Sequence, residues 1–68
     1  MFKKNELQAE MVRNCLTAEA LSKKLGINIV TLYRKMNGET DFYRNEIVKI
    51  AEILHLNKKA ICRIFFDI

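Results

Sequence analysis

Proline is absent from this chain and glycine occurs only twice. With no Pro, no predicted helix is interrupted by a missing N–H donor or a ring clash. With glycines only at Gly26 and Gly38, there is no glycine-rich phosphate loop, no flexible linker and no low-complexity segment. Tryptophan is absent, and His55 is the single histidine. Cys15 and Cys62 are the only cysteines, and a distant pair matches neither a zinc spacing nor a disulfide scaffold. The ordinary expectation is a partly buried, reduced thiol at each site. No metal and no cofactor is expected. No Ser/His/Asp or Cys/His set can be assembled, and a domain this small leaves little room for a catalytic pocket. Nothing in the sequence argues for an enzyme. No apolar run approaches the ~20 residues that cross a bilayer. The basic start, Met1-Phe2-Lys3-Lys4, is followed by polar Asn5-Glu6 rather than an apolar stretch, so it does not read as a secretory signal. The expected compartment is the cytoplasm.

What remains is 68 residues, half of them hydrophobic, with a net charge of +4. That composition suits one compact domain spanning 1–68 and is too apolar for a disordered tail. A chain of this size buries only about 60% of its unfolded surface, so its stability is marginal. The positive balance is compatible with a polyanionic partner but does not establish one. Residues 1–25 hold five basic and three acidic residues, 26–45 hold three and two, and 46–68 hold four and three. Any basic face must therefore come from folding.

Periodicity predicts five helices. The first runs over roughly Lys4–Asn14, with Leu7, Met11 and Val12 as a narrow apolar stripe. Thr17 reads as the N-cap of Ala18–Leu25, with Glu19 well placed in its first turn. Leu21 and Leu25 form the buried face of that helix, and the small Ser22 beside them lets another helix approach. Gly26 supplies a left-handed stop. Asn28 caps a third helix, Ile29–Asn37, whose Leu32 and Met36 face the core, and Gly38 ends it. Residues 39–44 read as a loop plugged onto the core by Phe42. Asn45 is the predicted cap of Glu46–His55, which carries the stripe Ile47, Ile50, Ala51 and Leu54. His55 then interacts with the carbonyls at the end of that helix. Asn57 caps the last helix, Lys58–Phe66, with Ile61, Ile64 and Phe65 inward and Lys58, Lys59 and Arg63 as a solvated basic face. No segment alternates long enough to be a strand.

The residues from 17 to 37 carry the functional signal. Two short helices flank a tight turn, and the second bears Thr31, Tyr33, Arg34, Lys35 and Asn37, side chains suited to duplex DNA. With Leu32 and Met36 inward, Asn28, Ile29, Val30, Tyr33, Arg34 and Asn37 fall on the outer face and ends. A guanidinium such as that of Arg34 can donate two bonds to guanine O6 and N7; the alternative is a solvated or phosphate-bound Arg. Ile29 and Val30 are poor residues for a first helical turn. They either meet thymine methyl groups or, for one of them, tuck into the core. Tyr33 offers a hydroxyl and a ring, or simply packs on the surface. Thr17, Asn28 and Asn37 are capping residues, a role that leaves phosphate contact open. Tyr43 and Arg44 are candidate phosphate clamps or plain solvated side chains. Phe66 and Ile68 are surplus to a small core. They suggest self-association, or else a tail folded back on the domain.

From Leu16 to about Phe66 the chain resembles the lambda-repressor-like helix–turn–helix family, the Cro type, and in particular small phage and prophage regulators of Gram-positive bacteria. The residues that carry the resemblance include Leu16-Thr17, Glu19, Leu21 and Lys23-Lys24-Leu25-Gly26-Ile27. They continue with Thr31-Leu32-Tyr33-Arg34-Lys35-Met36-Asn37-Gly38 and then Phe42, Glu46, Ile50, Leu54 and Leu56. The resemblance implies an all-α, compact five-helix DNA-binding domain with the helix–turn–helix in helices 2 and 3. It puts base contacts at Ile29, Val30, Tyr33 and Arg34. It puts phosphate contacts at Thr17 or Ala18, Asn28, Asn37 and the loop from Thr40 to Arg44, including Thr40 and Tyr43. Three positions depart from the family pattern. Ala18 replaces a common Gln, Ile29 and Val30 replace polar residues, and Lys35 stands where an aliphatic residue is usual. No second domain is read in the chain, which suits a stand-alone regulator.

The sequence expectation is a sequence-specific transcriptional regulator that binds double-stranded DNA as a homodimer on a near-palindromic operator. The rival expectations are a protein-interaction module on the same fold, such as an anti-repressor or adaptor, and a recombination or excision accessory factor.

Overall fold

A computed structural model describes residues 2–66. Among these the chain is all-helical, with no strand. The helices are α1 (Lys4–Arg13), α2 (Ala18–Leu25), α3 (Ile29–Met36), α4 (Arg44–Leu54) and α5 (Lys58–Ile61). α5 runs on directly into a wider π-helical stretch, Cys62–Phe66.

Local chemistry sets most of the boundaries. Thr17 Oγ1 accepts from the Ala20 N–H at 3.1 Å, Asn28 Oδ1 from the Val30 N–H at 2.8 Å, and Asn57 Oδ1 from the Ala60 N–H at 2.8 Å. Each such cap contributes about 1 kcal/mol by satisfying a donor that the helix leaves unpaired. Gly26 closes α2 at φ +72°, and the Ile27 N–H turns back to the Ser22 carbonyl at 3.0 Å. An L side chain would be strained there, although the space around the position is open.

α1 to α4 and the π-helical stretch each send one fully buried side chain to a common centre: Leu7, Leu21, Leu32, Ile50 and Ile64. Met11, Leu25, Met36, Leu54 and Phe65 complete the core. Each large apolar side chain buried there contributes about 1.5–3 kcal/mol. Ser22 is buried, its Oγ donating to the Glu19 carbonyl at 2.7 Å, which leaves a small polar group where α2 and α3 pack. At one edge Phe2, Phe42 and Phe65 form a three-ring cluster with centroids 5.1–5.6 Å apart. The Lys3 N–H donates to the Ile64 carbonyl, and Arg63 pairs with Glu6 and Glu10. The start of α1 and the C-terminal helix are thereby tied together.

Several sequence expectations need correction. Val12 does not join the stripe of α1; it is 77% exposed, because Leu7 and Met11 alone fill that side of the core. Cys15 is exposed rather than partly buried, in a left-handed turn at φ 53° that carries its thiol outward, whereas Cys62 is half-buried. α4 begins at Arg44, not Glu46, and its N-cap is Tyr43 rather than Asn45. The Glu46 carboxylate reaches back to the Tyr43 N–H at 2.7 Å and starts the helix earlier than a capping side chain at Asn45 would. Arg63 is ion-paired rather than merely solvated. The last helix widens where both Ala60 and Phe65, five positions apart, must face inward.

Candidate nucleic-acid interface

The outer face of α3 follows from which residues its inner face consumes. Leu32, Lys35 and Met36 are buried. At 3.6 residues per turn the opposite side is centred between Val30 and Arg34, with Tyr33 and Thr31 on its flanks. Val30 and Tyr33 are 55% and 49% exposed, and Arg34 is exposed as well. Among the described residues Arg34 makes no ion pair and no side-chain hydrogen bond, so its five guanidinium donors remain to be satisfied. Ile29 does not tuck into the core. It is half-buried, outside the core, in a shallow groove with Glu19, Ser22, Lys23 and Tyr33 between α2 and α3.

Lys35 cannot serve the exposed face. Its Nζ lies 3.0 Å from Glu46 Oε1, donates to the Asp41 carbonyl at 3.0 Å, and sits 4.0 Å above the Tyr43 ring centroid. Both side chains of the pair are almost wholly buried, at 5% and 7% exposure. An isolated charge there would be severely destabilising, so each partner makes the other tolerable. The pair fastens α3 to the start of α4 and pins the connecting loop. It also fixes the rotation of α3, since both Lys35 and Met36 must point inward.

The helix ends share one chemical property. Thr17, Asn28 and Asn37 are all exposed. Thr17 and Asn28 spend an acceptor oxygen on capping, and Asn37 Oδ1 accepts from Lys4 Nζ at 2.7 Å. Each keeps a donor (one O–H or two amide N–H) free for an anionic acceptor. The sequence carries no signal for the Lys4 contact, because no local pattern links residues 33 positions apart. It adds an ammonium at the C-terminal end of α3.

The remaining predicted residues follow α3 in the chain. Thr40 is exposed in the loop after α3. Tyr43 is 67% exposed and joins α3 only through its ring beneath Lys35. Arg44 is exposed in a groove with Val48, Lys58 and Phe66. Phe66 is 51% exposed, and Ile68 lies outside the described residues.

Among the described residues no group of His, Cys, Asp or Glu side chains converges as a metal site would, and no helix is long and apolar enough to cross a membrane. Comparison with known proteins adds nothing: no family model, no curated protein and no solved structure matches this chain.

Proposed function

We propose that this chain is a sequence-specific DNA-binding regulator of the lambda-repressor-like, Cro type, with α3 as its reading helix. The observation that carries the reading is the outward face of α3. It has one unpaired arginine beside a valine and a tyrosine, on a helix whose other basic residue is turned in and neutralised. An α-helix fits the width of the major groove, where Arg34 donates to guanine and Val30 meets a thymine methyl. Tyr33 and the half-buried Ile29 lie at the edge towards α2. Thr17, Asn28 and Asn37, with Lys4, hold the helix to phosphates through the donors they keep free, and Arg44 at the start of α4 adds a further phosphate contact. Two copies on half-sites about one helical turn apart would occlude a promoter. Lys35, buried against Glu46, stands outside the set of DNA-facing side chains.

The test is binding to duplexes that differ at single base pairs. Arg34→Ala is expected to relax the preference at one position, whereas Asn37→Ala weakens all sequences alike. Equal losses on every duplex from both variants would remove Arg34 as the reader.

A further inference from the structure

α4 and the C-terminal helix leave a groove between them that nothing in the chain's described part covers. Its floor is Ile47, Val48, Ile61 and Phe66. Val48 and Phe66 are each 51% exposed, and Ile47 and Ile61 are half-buried. Arg44 and Lys58 stand at its rim, exposed and outside every ion pair among the described residues. Beyond Arg44 and Val48 the surface of α4 continues with Lys49 and Glu52. Among the described residues the groove is thus apolar along its floor, with two cations, Arg44 and Lys58, and no carboxylate in its lining.

That charge pattern selects the occupant. A second copy docked about a two-fold axis would set Arg44 and Lys58 against a surface carrying the same cations, which costs free energy across an interface. Duplex DNA would satisfy the rim and leave the floor against water. A helical segment with apolar side chains on one face and carboxylates flanking them satisfies both at once.

We infer that the groove between α4 and the C-terminal helix is the docking site for an acidic amphipathic helical segment of another protein. Its apolar face seats on Val48 and Phe66, and its carboxylates meet Arg44 and Lys58. The inference stands independently of DNA reading by α3. Where both hold, an occupant takes Arg44 out of reach of phosphate and loosens the complex with DNA.

The test exposes the whole chain to a library of random helical peptides at near-physiological salt, followed by amide NMR titration with an enriched peptide. Enriched peptides are expected to be net acidic with apolar residues at i, i+3 or i+4, and i+7, and to shift Ile47, Val48, Ile61 and Phe66. Arg44→Glu with Lys58→Glu is expected to weaken binding by about tenfold or more. Phe66→Ala, which removes an exposed side chain, tests the floor without touching the rim. No enrichment, enrichment of neutral or basic peptides, or shifts confined to α3 would overturn the inference. So would movement of the same four resonances with protein concentration alone, which would make the occupant a second copy, or their movement on adding a random duplex.

Discussion

Arg34 and Lys35 are neighbours in sequence and both are cations, yet they lead opposite lives. Arg34 stands in solvent with no partner among the described residues. Lys35 is buried, paired with Glu46, bonded to a loop carbonyl and stacked over Tyr43. One residue of helical rotation, about 100°, separates a charge available to a ligand from a charge that holds the fold. The net charge of +4 therefore counts two kinds of lysine and arginine, and only one kind can meet an anion. Arg13 and Arg63, tied to Glu10 and Glu6, also belong largely to the fold.

The largest expected effect breaks the inner half of this contrast. Lys35→Ala leaves the Glu46 carboxylate buried and unpaired, and we predict a loss of about 3–5 kcal/mol in urea unfolding, enough to unfold much of so small a domain. Arg34→Ala is expected to change stability by less than about 0.5 kcal/mol in the same experiment. If the two losses were equal, the distinction between them would fail. Replacing both members of the pair, Lys35→Met with Glu46→Leu, should recover part of the loss: the desolvation penalty goes along with the attraction, while the Tyr43 N–H and the Asp41 carbonyl lose their partners.

The outer half is sharpened on DNA. Arg34→Ala should cost about 1–3 kcal/mol on the preferred duplex, with discrimination relaxed at one base pair. Thr17→Ala should destabilise the fold by about 1 kcal/mol through the lost cap and weaken binding evenly across sequences, read by thermal unfolding and by titration of two unrelated duplexes. The smallest effect belongs to Arg44→Ala. It should weaken all duplexes alike and lower the slope of log affinity against log salt by about one. An unchanged slope would take Arg44 off the phosphate-contacting set and leave it to the α4 groove alone.

What was legible in the sequence was local. The caps at Thr17, Asn28 and Asn57 and the stop at Gly26 rest on chemistry within three or four residues, and the structure has each of them. The outer face of α3 was legible from Leu32 and Met36. The rest depended on partners distant in the chain. Tyr43 has no capping side chain, so the start of α4 could be found only through Glu46. Lys35 is of a type suited to DNA, and its inward place depends on a carboxylate from another helix. A signal was present, since Lys35 lies three positions after buried Leu32 and Glu46 four before buried Ile50, which sets two opposite charges on inward stripes. Lys4 beside Asn37 and the widened turn at Cys62–Phe66 had no local signal at all.

The measurement that bears most directly on the account is selection of binding sites from a random duplex library at near-physiological salt, run in parallel for the native chain and Arg34→Ala. The native chain should recover an inverted repeat with half-sites about one helical turn apart, and the variant should recover the same repeat with one position per half-site relaxed. No enrichment, with binding that vanishes as salt rises, would contradict the assignment of α3 as a reading helix; so would an identical motif from both proteins.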